Sequence, residues 1–309
     1  MSGVQLEKAG MVGSHWSERL LGMGEMRENE SMSRHTTLGV GGPARWFFRP
    51  SDSDSLAAAL AMTPADIAVL PLGRGSNMLP PDTGFDGMVI DLANLKTLQI
   101  EGCKVVAGAG VRMSRFARQC ADSGLSGAEF MATVPGDIGG GVVMNAGAFS
   151  QQISDILVSI DIIHRNGERA GIAAEDLCLA YRRSVIPAGS LVVQACFELT
   201  PDQPDAIRER ISSMRSRRSA TQPLSQANCG SVFKNPEGDY AARLIEAAGL
   251  KGFTIGGAQI SERHANFIVN DGEACSADIM ALIRHAQAVV KKEFGIQLEP
   301  EVRMVGEWT

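Results

Sequence analysis

Short runs of apolar residues, interrupted by glycine, aspartate or proline, follow one another through the first two thirds of the chain. Runs of this length that are rich in valine, isoleucine and leucine are typical of β-strands. The pattern predicts strands over residues 67–73, 87–92, 96–102, 104–110, 156–167 and 191–199.

Between some of these runs the apolar spacing changes to that of an α-helix. The segment 51–62, "SDSDSLAAALAM", begins with several N-cap residues, and the segment 111–124, "VRMSRFARQCADSG", ends at a glycine C-cap, Gly124. Helices and strands in this irregular order predict an α+β fold. Eight regular βα units are absent, and so is the strand–GxGxxG–helix start of a Rossmann domain.

The last third of the chain has a separate pattern. A helix over 201–223 places Ile207, Ile211 and Met214 on one face and ends in a basic cluster, so we expect a domain boundary near residue 204. Further elements are predicted in this order: a loop at 228–239, a helix at 239–248, a strand at 264–270, a helix at 276–294 with Ser276 as its N-cap and Gly295 as its end, and a strand at 298–306.

Composition narrows the class of protein. The chain has 309 residues, 44% of them apolar, and a net charge of −6, which argues against non-specific nucleic-acid binding. Its six cysteines are scattered without a C-x-x-C pair, and its five histidines show no H-E-x-x-H, so we expect reduced thiols and no metal site. No apolar run reaches membrane-span length, and no signal-peptide core precedes residue 30, so we expect a cytoplasmic protein.

Two glycine-rich segments carry the first functional signal. In "PLGRGSNMLP" (71–80) the backbone N–H groups of Gly75, Ser76 and Asn77 form a candidate phosphate nest, aided by the Ser76 hydroxyl. In "VPGDIGGGVVMNAGAF" (134–149) five glycines fall between Gly136 and Gly147; this density disfavours a helix and predicts turns or close approach to a ligand. The first loop alone is equally typical of a turn that ends a strand, but two such loops, each beside a strand, suit a dinucleotide.

Seven segments give the chain a specific resemblance. They are "TTLGVGGPARWFF", "GRGSNML", "VPGDIGGGVVMNAGAF", "AYRRS", "GSVFKNP", "ISERHANFIVN" and "LEPEVRMVG". In this order they resemble the UDP-N-acetylenolpyruvoylglucosamine reductase (MurB) family of peptidoglycan synthesis, from about Met32 to Thr309. The short interval between "YRRS" and "GSVFKNP" resembles the shorter type of the family, which lacks an extra tyrosine loop.

The resemblance implies a fold and a reaction. It implies a vanillyl-alcohol-oxidase-type (PCMH-like) FAD-binding domain in two lobes at 31–204, a smaller α+β substrate-binding domain at 205–309, and a flexible extension at 1–30. The implied reaction is NADPH-dependent reduction of UDP-N-acetylglucosamine enolpyruvate to UDP-N-acetylmuramate through FAD, by a monomer without metal, nucleic acid or membrane partners. The implied FAD contacts are Gly73, Arg74, Gly75, Ser76, Asn77, Met78, Thr133, Pro135, Gly136, Gly139, Gly140, Gly141, Asn145, Ala146 and Gly147.

Matching the motifs residue by residue implies two of the catalytic groups. Arg182 in "AYRRS" matches an arginine suited to hold a carboxylate through two donors, although Arg183 is adjacent. Ser231 in "CGSVFKNP" matches the proton donor; a serine is a very weak acid, and Cys229 lies two positions away.

The third catalytic match is Glu301 in "LEPEVR". Glu299 lies two positions away, on the same face of a strand, and only the motif position favours Glu301. The implied role is carboxylate polarisation or proton delivery, helped by a pKa that burial would raise. The matching segments also imply substrate contacts at Tyr181, Lys234, Asn235, His264 and Arg303. Outside those segments, Arg217 or Arg218 is a candidate for the diphosphate, and either is equally typical of a solvated helix end.

Two alternative functions compete with this reading. A different flavin oxidoreductase of the same fold, acting on an alcohol or sugar, would need the same glycine loops. A non-catalytic nucleotide-sugar binder would need the same pocket but not the three catalytic side chains. "GSVFKNP" together with "EPEVR" favours the reductase over both.

Overall fold

The structure, a computed structural model, describes residues 14–308. Seven α-helices lie within this range: α1 (Ser14–Glu18), α2 (Ser53–Met62), α3 (Met113–Asp122), α4 (Ile138–Val143), α5 (Pro204–Thr221), α6 (Ala241–Ala247) and α7 (Ser276–Phe294). Four 3₁₀ turns accompany them: Met32–Arg34, Glu129–Ala132, Ile153–Asp155 and Ala174–Leu177.

The described residues also form nineteen strands, many of only two or three residues. They are β1 (Gly24–Ser31), β2 (Pro43–Pro50), β3 (Ala68–Leu72), β4 (Met78–Leu79), β5 (Phe85–Asp91), β6 (Leu98–Glu101), β7 (Lys104–Gly108), β8 (Leu125–Ser126), β9 (Gly147–Ala148), β10 (Gln151–Gln152), β11 (Leu157–Ile163), β12 (Arg169–Ala173), β13 (Leu191–Glu198), β14 (Thr200–Pro201), β15 (Ala227–Asn228), β16 (Thr254–Ile255), β17 (Ala258–Ile260), β18 (Ile268–Asn270) and β19 (Arg303–Met304). All six strands predicted in the first two thirds are confirmed, within a few residues at their ends.

Three sheets organise the molecule. The first has the order β1-β2-β5-β3 and is mixed, with β5 parallel to both β2 and β3. The second, β12-β11-β13-β7-β6, is antiparallel throughout. The third, β15-β18-β17-β16, is small and lies in the last third of the chain. The parallel pair β4–β19 joins the first glycine loop to the C-terminal segment.

Each sheet buries its own apolar face. The second sheet packs with α3, α4 and α5 around Phe116 and Phe197, whose rings meet edge to face with centroids 4.8 Å apart. The third sheet packs against α6 and α7. The first sheet has a core on either face, one shared with α2 and one around Phe47.

Helix α5 packs against the second sheet and connects it to the last third of the chain. Ile207 and Ile211 are buried in that sheet's core, as their spacing predicted, and Arg210 forms an ion pair with buried Glu129. The apolar face of α5 therefore packs in the core of the second sheet, whereas the residues after α5 form the core between the third sheet, α6 and α7. The domain boundary near residue 204 stays a prediction.

Three local expectations differ from the structure. Cys275, not Ser276, is the N-cap of α7: its backbone is extended, and the Asp278 carboxylate accepts its N–H, while the N–H of Ser276 donates to Asp82. The predicted strands at 264–270 and 298–306 shorten to β18 and β19, because side chains and single backbone hydrogen bonds replace a regular ladder there.

The N-terminal extension predicted over 1–30 also differs where the structure describes it. Residues 24–31 form β1, which pairs along its length with β2, so they belong to the first sheet. Met26 is the one apolar side chain of "GEMRENES", so no apolar–polar alternation indicates a strand there; pairing with the apolar strand β2 stabilises it instead. Residues 1–13 of the predicted extension lie outside the described residues.

Candidate active site

The first glycine loop, residues 73–77, follows β3 directly. Gly75 has φ +59°, and a side chain there would come within 2.1 Å of the His35 carbonyl oxygen, so only glycine fits. The Ser76 hydroxyl donates a hydrogen bond to the Pro135 carbonyl at 3.0 Å. Its bond therefore joins the two glycine loops, an arrangement different from the phosphate contact predicted for it.

The second glycine segment contains a helix, which corrects the expectation that its glycine density disfavours one. α4 begins after Asp137 and includes Gly139, Gly140 and Gly141. A Cβ on Gly139 would lie 2.8 Å from the Ala109 Cβ, and one on Gly141 would lie 2.9 Å from Ile153. The helix forms despite its glycines because their lack of side chains lets it pack directly on its neighbours, which outweighs the loss in propensity.

Gly140 occupies the opposite face of α4. A Cβ there would meet nothing within 4 Å, and the residue lines a cleft of about 560 Å³ between the two glycine loops. Such a volume is usual for a site that takes a cofactor or small molecule.

The cleft brings together almost all the predicted FAD contacts. Its walls include Gly73, Arg74, Gly75, Ser76, Asn77, Met78, Thr133, Pro135, Gly136, Gly139, Gly140, Gly141, Ala146 and Gly147. Asn145 is not a wall residue: it is fully buried at φ +39°, and its side chain bonds the Ala180 carbonyl and the Ser154 N–H. The bare backbone of this wall suits a flat ligand that carries phosphates.

Arg182 and Glu301 meet on the other side of the cleft. Arg182 Nε donates to Glu301 Oε1 at 2.6 Å, and its NH2 group donates to the Gly147 carbonyl at 3.0 Å. Arg182 has φ +55°, an uncommon backbone conformation for a non-glycine residue. Burial raises the pKa of Glu301, and the charge and hydrogen bond of Arg182 oppose that rise.

Ser231 reaches the same cleft through an antiparallel contact between two loops. Lys234 N–H donates to the Glu299 carbonyl, and Glu301 N–H donates to the Val232 carbonyl. The backbone segments that carry Ser231 and Glu301 therefore lie side by side, and both residues line the cleft. Within residues 14–308 the Ser231 hydroxyl makes no hydrogen bond. Cys229 also lines the cleft, and burial raises the pKa of its thiol to about 12.

The two ambiguous neighbours lie outside the cleft. Arg183 is exposed, and its backbone pairs with that of Ala180 across the turn that carries Arg182. Glu299 is exposed and forms an ion pair with Lys234 at 2.5 Å. Of each pair, only the residue favoured by the motif lines the cleft.

The predicted substrate contacts divide into two groups. Arg217, Arg218 and Arg303 line the cleft; Arg217 lies over the Phe149 ring, 5.3 Å from its centroid. Arg218 is more deeply placed, its Nε is buried without a partner, and burial lowers its pKa to about 10.

The other four predicted contacts lie outside the cleft wall. Tyr181 is half exposed beside Arg182, and Lys234 is paired with Glu299. Asn235 accepts the N–H of Ala241 at the start of α6. His264 lies edge-on to Phe267, and burial lowers its pKa.

Sequence reasoning missed Asn266, which holds the Ser231 loop in place. It is buried, accepts the Phe233 N–H at 2.9 Å, donates to the Phe233 carbonyl at 2.8 Å, and its own carbonyl accepts the Val232 N–H. The asparagines of the predicted strand "HANFIVN", Asn266 and Asn270, were the available signal, because strands rarely favour asparagine.

Residues 14–308 hold no group of three or more His, Cys, Asp or Glu side chains arranged to bind a metal. No helix in the same part of the chain is long and apolar enough to cross a bilayer.

Comparison with known proteins matches each of the two parts of the chain to a protein family. Residues 44–171, which include both glycine loops, match the family described as FAD binding domain. Residues 222–305 match the UDP-N-acetylenolpyruvoylglucosamine reductase C-terminal domain. These matches confirm the predicted fold: a FAD-binding part followed by a smaller α+β part.

Whole-chain relatives give the same assignment. The UDP-N-acetylenolpyruvoylglucosamine reductase of Alkalilimnicola ehrlichii is 44% identical, with 94% of this chain and 98% of the relative covered. That of Agathobacter rectalis is 40% identical, with 91% and 94% covered. The crystal structure of the Thermus caldophilus reductase superposes with a TM-score of 0.80 at 34% identity, covering 91% of this chain and 99% of that one.

Proposed function

The chain belongs to the UDP-N-acetylenolpyruvoylglucosamine reductase family, and on that premise we propose how its cleft carries out the reaction. The protein is a FAD-dependent reductase that converts the enolpyruvyl ether of UDP-N-acetylglucosamine to the lactyl ether of UDP-N-acetylmuramate in peptidoglycan synthesis. The source of the hydride is proposed to be NADPH, as the family resemblance implies.

The residues of the first wall fit FAD. The two glycine loops and the open face of α4 provide backbone without side chains along one side of the cleft. They would hold the dinucleotide by close approach of backbone N–H groups. When bound, FAD supplies the hydride transfer that no side chain can perform.

The residues of the second wall act on the substrate. Reduction adds a hydride to the methylene carbon and a proton to the carbon beside it, and negative charge spreads into the carboxylate between the two events. Arg182 is proposed to hold that carboxylate through two parallel donors, because a guanidinium matches its geometry. Ser231 is proposed to deliver the proton, since a positioned weak acid can protonate a strongly basic enolate.

Glu301 has two tasks in this proposal. In the structure it orients Arg182 through the 2.6 Å hydrogen bond. A substrate carboxylate at Arg182 would place a second negative charge near Glu301, which raises the pKa of Glu301 further and favours proton uptake. The protonated carboxyl group then assists charge stabilisation or passes its proton towards Ser231.

A monomer is proposed, as the family resemblance implies. A cytoplasmic location is proposed from the cysteines, since all six are free thiols, as in a reducing compartment.

The observation that carries the proposal is the arrangement of Arg182, Glu301 and Ser231 opposite the glycine loops in one cleft. The test is the visible spectrum of the purified protein under anaerobic conditions. We expect a yellow protein that NADPH bleaches and UDP-N-acetylglucosamine enolpyruvate recolours. Recolouring by oxygen alone would favour a related flavin oxidase, and a colourless protein that takes up no FAD would favour a nucleotide-sugar binder.

A further inference from the structure

Asp137 has a buried carboxyl group at the junction of the two glycine loops, and the reaction described above gives it no role. The residue is 5% exposed and lines the cleft. It occupies the N-cap position of α4, yet its side chain makes no capping hydrogen bond. Its Oδ1 atom is buried and has no hydrogen-bond partner within the described residues.

Charged groups surround Asp137 without bonding it. Arg74 in the first glycine loop and Arg112 before α3 favour its ionised form, while Asp91 at the end of β5 opposes it. Asp91 is itself held by Arg49 at 2.6 Å. The loss of hydration outweighs the two arginines and, together with Asp91, raises the pKa of Asp137 to about 6.

A carboxyl group in this position is costly for the protein alone. Burying a polar group without a hydrogen bond is unfavourable, and an ionised group costs more. Its neighbour across the junction is Gly73, whose Cβ, if present, would lie 3.2 Å from Asp137 Oδ2. The absence of a side chain at Gly73 leaves the carboxyl group beside the space in which a ligand of the cleft would lie.

We propose that Asp137 is a cofactor-binding residue whose carboxylate accepts a hydrogen bond from a hydroxyl or N–H group of bound FAD. The cofactor has such donors in its ribityl and ribose hydroxyls, its flavin imide and its adenine amine. Its phosphates and carbonyls have none, and an ionised Asp137 would repel them. The inference rests on the proposed function only in that the cleft takes FAD.

The proposal has a defined pH dependence. A carboxylate that gains a donor on binding has a lower pKa in the complex than in the apoprotein, so binding releases protons below that apoprotein pKa. FAD affinity therefore rises as pH increases through about 6 and levels off above it. If Asp137 instead bound a phosphate as a neutral acid, its pKa would rise on binding, and affinity would fall with increasing pH.

The stability of the apoprotein should change in the opposite direction to the affinity. The raised pKa of Asp137 means that its ionised form destabilises the apoprotein at pH 8, and this effect disappears as pH falls below the ordinary value of 3.8. Asparagine has nearly the same shape and no charge. Asp137→Asn should thus stabilise the apoprotein at pH 8 while it weakens FAD binding.

The experiment compares Asp137→Asn with Asp66→Asn, the same change at an exposed turn position before β3. FAD dissociation constants are measured by flavin fluorescence between pH 5 and 8, and apoprotein melting temperatures at pH 8. We expect Asp137→Asn to raise the dissociation constant at least about tenfold at pH 8 and to flatten its pH dependence, with an unchanged or higher melting temperature. Asp66→Asn should behave as the parent.

Three results would decide against the inference. An unchanged FAD affinity in Asp137→Asn would show that the carboxylate accepts no donor, and tighter binding at low pH would show that it acts as a neutral acid. A lower melting temperature together with weaker binding, repeated in Asp137→Ser, would indicate a structural role. A parent protein that takes up no FAD would refute the proposed function instead.

Discussion

The two walls of the cleft are built by different means. The first wall, residues 73–78 and 134–147, is largely backbone and glycine. Its shape depends on the absence of a side chain at Gly75, Gly139 and Gly140. The second wall depends on side chains: the Arg182–Glu301 pair, Ser231 and the arginines at the end of α5. The first wall combines two continuous segments of backbone, whereas the second joins single side chains, of which Arg182 and Glu301 are 119 positions apart.

The difference separates two kinds of requirement. Holding a large planar cofactor requires close approach of the backbone, which glycine allows wherever it is placed. Stabilising developing charge and delivering a proton require specific groups at hydrogen-bond distance, which only the tertiary structure can bring together. Substitutions in the two walls should accordingly separate cofactor binding from turnover.

The largest expected effect concerns the second wall. Ser231→Ala should slow flavin reoxidation by the enolpyruvyl substrate by about 10² to 10⁴-fold and leave FAD and substrate binding nearly intact, because only the proton donor is lost. Stopped-flow absorbance measures the rate. Cys229→Ala, two positions away in the same wall, is the matched control and should retain most of the parent rate; a reversed result would reassign the donor to Cys229.

The next effect tests how the second wall is held. Asn266→Ala removes two side-chain hydrogen bonds to Phe233 and leaves buried main-chain groups unsatisfied. Each such group costs about 1–3 kcal/mol, so the free energy of unfolding should fall by at least that amount in urea titration. Asn235→Ala, at an exposed helix start, should cost about 1 kcal/mol. Equal losses of unfolding free energy in the two variants would contradict the role of Asn266 in holding the Ser231 loop in place.

Substitutions at two adjacent glycines, Gly139 and Gly140, test how the first wall is built. Gly139→Ala should destabilise the apoprotein by about 1–3 kcal/mol, because its Cβ would lie 2.8 Å from the Ala109 Cβ. Gly140→Ala should stabilise the apoprotein by about 0.4–1 kcal/mol, since alanine favours helix, but weaken FAD binding by filling the cleft. Thermal melting and FAD titration measure both. If Gly140→Ala bound FAD as tightly as the parent, the cofactor would not lie against α4.

The smallest effect distinguishes the two glutamates of "LEPEVR". Because the substrate carboxylate and Glu301 share Arg182, the complex should bind a proton, and substrate affinity should fall as pH rises, by up to about tenfold per pH unit. Glu301→Gln should abolish this slope in a calorimetric titration of a non-reacting substrate analogue. Glu299→Gln removes only an exposed ion pair and should preserve it. A slope that persists in Glu301→Gln would assign the proton elsewhere.

Local features of the sequence were sufficient for much of the fold and for the first wall. The apolar runs predicted β3, β5, β7, β11 and β13, and the helical period predicted α5 and α7, because side-chain patterning decides which face of an element is buried. The glycine clusters marked the first wall of the cleft because few local conformations require so many residues without a Cβ. Family resemblance supplied the candidates Arg182, Ser231 and Glu301, whose chemistry nothing in their local sequence reveals.

Long-range contacts decided the rest, for one physical reason: their energies exceed local propensities. Packing on Ala109 makes a helix of α4 despite three consecutive glycines, and pairing with β2 turns a charged N-terminal segment into β1. The placement of Glu301 rather than Glu299 in the cleft follows from two bonds to its main chain: its N–H donates to the Val232 carbonyl, and its carbonyl accepts from the Asn77 side-chain amide. The sequence by itself determined which two glycine segments line the cleft; only the tertiary structure determined which charged groups meet in its second wall.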